Sequence, residues 1–163
     1  MIVAWLSRDA WRTMVAEADR KHPLETGGVL AGYWTNVGEL VIRAASGPGD
    51  KAVHERHRFA PDYDCQEGWI AERYRLSGGV DTYLGDWHTH PDAPVAVPSA
   101  ADRRTARRIA AHDEARAPSP LLIILAGDPR RWSAFCWVAT LKWVLGIYQQ
   151  VRLNPCKVRL FDS

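Results

Sequence analysis

With 163 residues and a formal net charge of +2, the chain has the length of one domain and no charge surplus pointing to nucleic acid or a membrane surface. Hydrophobic residues make up 47% of it and eight are tryptophan, which is ample for a packed core. No apolar run is long enough to span a bilayer, and Met1–Leu6 is too short and too poor in basic residues for a signal peptide. Cys65, Cys136 and Cys156 are odd in number and include no Cys-x-x-Cys, so they suit reduced thiols of a cytoplasmic protein better than disulfides or a thiolate metal site.

Ile2–Leu6 reads as a first strand. Ser7 is a good N-cap with Asp9 in the first turn, and Ala10, Trp11, Met14, Val15 and Ala18 share one face at helical spacing. His22-Pro23 stops that helix; a histidine is favoured there as a cation, so His22 is not counted as a ligand. Leu24–Trp34 leads into a strand whose glycines permit close backbone approach. Taken alone, Glu25 beside Gly27-Gly28 reads as a solvated loop residue. Asn36-Val37-Gly38 turns the chain, and Glu39–Ala45 returns as the second strand of a hairpin. Ser46–Asp50 is a loop. Lys51–Phe59 is polar and hard to assign to an element; His54 and His57 within it could in principle pair on a metal, though a surface loop or substrate-facing insertion is simpler. Pro61–Asp64 starts a helix in which Asp64 and Glu67 have capping-box spacing, Ile70 and Tyr74 share an inner face, and Gly78-Gly79 ends the run.

Val80–Trp87 reads as a strand that runs into His88-Thr89-His90-Pro91. In extended chain, residues two apart project to the same face, so His88 and His90 point the same way. Pro91, Pro94 and Pro98 forbid regular structure until Ser99 opens a helix rich in arginine and alanine, which puts Asp102 in its first turn. Ser-x-x-Asp is also a capping-box signature. Cap and ligand are compatible roles, because a capped helix start fixes where Asp102 points. Two imidazoles and a carboxylate converging at a strand end and a helix start match the three protein ligands of catalytic zinc sites, which leave a fourth position to water.

Beyond Asp102, Ala106, Ile109 and Ala110 form an apolar stripe, while Arg103, Arg104, Arg107, Arg108 and Arg116 face solvent. Neither aromatics nor a nucleic-acid motif accompany those arginines, so an exposed helix face is expected and no nucleic-acid partner. Pro118-Ser119-Pro120 breaks the helix. Leu121–Leu125 has the continuous apolar character of a central strand buried on both faces. Gly127-Asp128-Pro129 turns toward Trp132–Ala139. From Lys142 onward the pattern is mixed, and Trp143–Tyr148 and Val158–Phe161 read either as strands or as a docked tail. No repeat or linker divides the chain. The expectation is therefore a single α/β domain over residues 1–163, with 142–163 a candidate C-terminal extension and a mixed β-sheet flanked by about three helices.

The sequence resembles the JAMM or MPN-plus (JAB-type) zinc metallopeptidases. The resemblance rests on His88-Thr89-His90-Pro91, Ser99-Ala100-Ala101-Asp102 and, far upstream, Glu25 in Leu24–Gly32, whose Glu-Thr-Gly-Gly-x-Leu-x-Gly is similar to that of prokaryotic members. It covers residues 1–140. The loop from His90 to Ser99 is one residue longer than the usual spacing, which bears on loop conformation more than on the ligands. The resemblance implies the JAMM/MPN-type fold, which is cytidine-deaminase-like, and one Zn2+ per chain on His88, His90 and Asp102. It also implies Glu25 as general base and then acid, and Ser99 as a donor to the developing oxyanion.

Amide hydrolysis is the implied reaction, after the C-terminal glycine of a ubiquitin-like protein in its precursor or its conjugates. Activating and conjugating enzymes encoded in the same operon, in some cases antiphage, are the implied partners. An extended Gly-Gly tail laid beside an exposed strand would suit such a site. Two other classes compete, a non-catalytic scaffold and a different zinc hydrolase, the latter as an amidase or a deaminase. A non-catalytic MPN-type scaffold would characteristically lack ligands, and all are present. A zinc amidase acting on small peptides has the same site requirements. A deaminase is disfavoured, because no His-x-Glu is followed by Pro-Cys-x-x-Cys.

Overall fold

The computed structural model describes residues 1–162. Strand β1 (Val3–Ser7) passes directly into helix α1 (Arg8–Lys21), where Ser7 Oγ accepts from the Ala10 N–H at 3.1 Å, the cap its sequence announces. Ala10, Met14 and Ala18 bury one side of the helix, with Trp11 and Val15 at its margin. There follow β2 (Gly27–Trp34), β3 (Leu40–Ala45), the short β4 (Val53–Glu55) and β5 (Arg58–Ala60), α2 (Tyr63–Leu76) and β6 (Thr82–Pro91). Helix α3 (Ala100–Ala110), a 3-10 turn at Asp113–Ala115, β7 (Leu121–Gly127), β8 (Ser133–Val144) and β9 (Tyr148–Phe161) complete the chain. Among the described residues no helix is long and apolar enough to cross a membrane.

The mixed sheet and three α-helices are as expected, but the sheet closes on itself. Its order is β1-β3-β2-β6-β7-β8-β9, and Val3–Ser7 pairs in parallel with Lys157–Phe161 to complete a barrel. The segment legible only as strands or tail is thus the end of β8 and all of β9, paired antiparallel from Cys136↔Cys156 to Val144↔Tyr148. Closure removes the unpaired edges that β1 and β9 would otherwise expose. Cys136 and Cys156 stand opposite one another in that ladder as free thiols.

Strand β7 lies between β6 and β8 and is buried on both faces. Leu121, Ile123 and Leu125 join Leu6, Met14, Ile42, Trp87 and Val138 in the main core. Leu122, Ile124 and Ala126 face the other way, onto Ala96 of the proline-rich loop. That contact anchors the loop between the histidines and α3.

Two local expectations need correction. Helix α2 is capped by Asp62, whose carboxylate accepts from the Cys65 N–H at 3.3 Å, and not by an Asp64/Glu67 box. The cap residue must sit in extended backbone just before the first turn; Asp62 has φ −80° and ψ 95°, whereas Asp64 is already helical. Ile70 and Tyr74 do share a face, but it lines an open cleft and Tyr74 remains 52% exposed. The unassigned Lys51–Phe59 segment, with Ala60, forms the two-stranded β4–β5 hairpin, separate from the barrel.

Candidate metal centre

Strand β6 forms the floor of the site. On one face Leu84 and Trp87 enter the core; the other carries Asp86, His88 and His90 into the cleft. A bulge at Leu84 brings Tyr83 to the cleft side as well, where its hydroxyl donates to Asp86 Oδ1 at 2.7 Å. Gly85, beside the bulge, has φ +149° and lies so close to the Leu121 backbone that no Cβ would fit. The cleft has a volume of about 1250 Å³ and runs between α2 and α3.

His88 and His90 do point the same way, with their Nε2 atoms 3.2 Å apart. Asp102 arrives from the first turn of α3, its Oδ1 3.4 Å from His88 Nε2. Its aim is set by a full capping box: Ser99 Oγ accepts from the Asp102 N–H at 3.1 Å, and Asp102 Oδ2 accepts from the Ser99 N–H at 2.6 Å. One carboxylate oxygen is thereby held by the cap and the other faces the imidazoles. All three donor atoms lie within 4.8 Å of one another. Ligands about 2.0–2.1 Å from a tetrahedral ion are about 3.3 Å from each other, so the donor types fit one such ion and the 3.2 Å and 3.4 Å separations from His88 match two edges of its coordination shell.

Protonation favours the same use. Burial, aided by the neighbouring His90, pushes the His88 pKa down to about 4 against the pull of Asp102, and burial lowers that of His90. Both rings are therefore neutral near pH 7, with lone pairs to offer.

Glu25 comes from the segment between α1 and β2 and lines the same cleft. Burial, and secondly the charge of Asp102, raise its pKa to about 7. Its neighbour Thr26 is stitched to the metal strand: the Thr26 N–H donates to Thr89 Oγ1 at 3.0 Å, and the Thr89 N–H to Thr26 O at 2.9 Å. Gly27 is required by this proximity, since a Cβ there would collide with the Trp87 carbonyl, and a Cβ on Gly28 would collide with the Ser46 carbonyl and the Trp87 indole. Ser99 also lines the cleft, and because its oxygen accepts in the cap, its hydroxyl proton remains available to donate.

The structure thus brings Glu25, His88, His90, Ser99 and Asp102 to one cleft. His57 lines that cleft too, while His54 turns its Nδ1 to Glu25 O at 2.9 Å. Sequence reasoning had no signal for this contact, nor for Asp92, which bonds His22 Nε2 at 2.8 Å and Arg56 Nη2 at 3.1 Å. Asp86 was also missed. It is a carboxyl on the cleft floor whose pKa burial raises to about 6, and the period-2 pattern through His88 and His90 already placed it on their face.

Residues 7–137 match the family described as prokaryotic homologs of the JAB domain. The chain belongs to that family. This JAMM-type metallopeptidase is 38% identical over 159 residues, 98% of its own length and 97% of the relative's, to a protein of Sinorhizobium fredii named probable metalloprotease y4qB. It is 34% identical over 109 residues to a CD-NTase/cGAS isopeptidase of Vibrio cholerae, covering 66% of this chain and 65% of that one. A protein of the same name from Enterobacter hormaechei is 31% identical over 129 residues, 76% of this chain and 67% of the relative. The solution structure of DSY2949 from Desulfitobacterium hafniense shares the fold, with a TM-score of 0.67 over 99% of this chain and 94% of that one at 20% identity. A metal ion is implied by that family membership, and the His88, His90 and Asp102 group is where the donors converge.

Proposed function

We propose that this metallopeptidase is a zinc-dependent cytoplasmic isopeptidase that removes a ubiquitin-like protein from its conjugates, matures its precursor, or does both. His88, His90 and Asp102 would hold the ion. Zinc held there supplies Lewis-acid polarisation of a carbonyl oxygen and makes water acidic enough to react near neutral pH. The remaining work falls to the chain itself. Glu25, with a pKa of about 7, is poised to take a proton from the attacking water and return it to the leaving amine. The Ser99 hydroxyl donates a hydrogen bond to the oxygen on which charge develops. Asp102 is kept from swinging away by the Ser99 N–H.

The observation that carries this reading is the convergence of Glu25 with the three metal donors in one open cleft. The isopeptidase names of two relatives support the substrate class, and the CD-NTase/cGAS in those names supports an antiphage setting; activating and conjugating enzymes encoded nearby are the partners this reading would add. The breadth of the cleft favours a protein tail over a small peptide, and β5, paired only with β4, leaves a strand edge beside it. The test is cleavage of a panel of ubiquitin-like domains fused through Gly-Gly to a reporter protein, set against short peptide anilides and repeated with Glu25→Ala. Cleavage of a fusion that stops at the glycine and is lost in Glu25→Ala supports the proposal. Turnover of the anilides alone, or cleavage that survives the substitution, overturns it.

A further inference from the structure

The hairpin of β4 and β5 belongs to no part of the barrel, yet it grips the residue read above as the proton carrier. The Glu25 N–H donates to Glu55 O at 2.9 Å, and His54 Nδ1 lies 2.9 Å from Glu25 O. A carbonyl oxygen only accepts, so Nδ1 carries the proton and donates. These bonds fix two successive peptide units. The unit before Glu25 is held through its N–H by Glu55. The unit after it is held at both ends, its oxygen by His54 and its N–H, that of Thr26, by Thr89 Oγ1 at 3.0 Å. Between two immobilised peptide planes the Cα–Cβ direction of a residue has no freedom left, because φ and ψ are all that separate those planes. Glu25 lies outside α1 and β2, so no helix or ladder would do this otherwise.

The hairpin is itself braced. The His54 ring packs on Phe59, centroids 5.6 Å apart, and a Cβ at Gly27 would strike the Phe59 ring. At the turn, Arg56 Nη2 reaches Asp92 Oδ2 at 3.1 Å; Asp92 follows His90 by two residues and its other oxygen meets His22 Nε2 at 2.8 Å. The same hairpin therefore touches the backbone of Glu25 and the loop that leaves the metal strand.

We propose that His54 is a positioning residue for Glu25, holding the Glu25–Thr26 peptide unit so that the carboxyl faces the three metal donors. The proposal rests on the reading of Glu25 as proton carrier, and its test has one readout that does not. Two variants separate donor from packing: His54→Asn keeps an N–H donor near the Nδ1 position, and His54→Phe keeps the stacking on Phe59 but has no donor. Three quantities are measured on each: zinc per chain, amide hydrogen exchange across residues 23–28 and 86–91, and kcat and KM on the fusion cleaved by wild type. For His54→Phe the expected result is kcat lower by about 10–100-fold, as for other groups that orient a catalytic side chain, with KM and zinc content unchanged. Exchange at residues 23–28 accelerates while 86–91 stays protected. His54→Asn restores most of both. Unchanged kcat and exchange in His54→Phe overturn the proposal, as does a loss of zinc parallel to the loss of kcat or a failure of Asn to restore more than Phe. Should His54→Phe fail to fold, His54→Gln, which moves the donor out of register, must show the same pattern against His54→Asn. If wild type cleaves no fusion, the proposed function falls, and the exchange readout still decides whether His54 holds this peptide unit.

Discussion

The two sides of the cleft are built in different ways. The metal side is a single contiguous unit: β6 delivers His88 and His90, the proline-rich loop is anchored through Ala96, and a capped α3 presents Asp102. Each step there is local, set by strand alternation and by a helix cap. The side bearing Glu25 is assembled from four separate places in the chain. Glu25 is positioned by Thr89 through its neighbour, by Glu55 and His54 from the hairpin, and by Thr26 Oγ1, which donates to Glu17 Oε1 of α1 at 2.9 Å. The side with the two histidines can thus be recognised from a motif, whereas the placement of Glu25 depends on contacts that no motif contains. Loss of a metal donor and loss of the base should accordingly fail differently.

The largest effect is expected on the contiguous side. His88→Ala removes one of three donors, and bound zinc measured by atomic emission should fall well below one per chain with cleavage reduced to background. Retention of full zinc would break the assignment of the donor set. Glu25→Gln, on the assembled side, should keep its zinc and lose about 10²–10⁴ in kcat, the range of a general acid–base group. Ser99→Ala touches both roles of one residue. Turnover should fall by about 10²–10³ for the lost oxyanion donor, and stability by ~1 kcal/mol for the lost cap, read as kcat and as thermal unfolding. A drop in melting temperature with turnover intact would leave Ser99 as a cap only.

A smaller effect comes from the proton on Glu25. In the metal-free protein burial and Asp102 hold that pKa at about 7 against an ordinary 4.5, so the folded state binds the proton more tightly than the unfolded chain. Stability contributed by this group is greatest below pH 4.5 and falls as pH rises toward 7. Glu25→Gln escapes that fall. After discounting for a half-exposed site, the metal-free variant should melt about 2–4 °C above metal-free wild type at pH 8, a difference of ~1 kcal/mol, and match it at pH 4. Equal melting at both values would mean that Glu25 is not desolvated. The smallest effect belongs to α2: Asp62→Ala should lower stability by ~1 kcal/mol without altering zinc or turnover, while Asp64→Ala should not, as unfolding curves would show.

Legibility followed the same division. His88, His90, Ser99 and Asp102 could be read because their relation spans a few residues of strand, loop and helix start, where period-2 alternation and cap spacing are nearly geometric rules. Glu25, beside Gly27-Gly28, had no local signal of function and was reached only through resemblance. The contacts of His54 and Asp92 were not legible at all. Their partners lie 29 and 70 residues away in sequence, and nothing in a polar loop says which carbonyl or imidazole it will meet.

What the sequence determined by itself was the order and type of most elements, the doubly buried β7 and the convergence of His88, His90 and Asp102, since these follow from short-range patterns of apolarity and spacing. Tertiary structure alone decided that the sheet closes, that the β4–β5 hairpin clamps Glu25, and that Asp62 caps α2. Closure is the plainest case. β9 alternates half-buried and exposed residues along its length, a weak pattern whose meaning depends on β1 at the other end of the chain. Backbone hydrogen bonding is the same for every sequence, so the choice of such a partner is made by what the rest of the fold leaves unpaired.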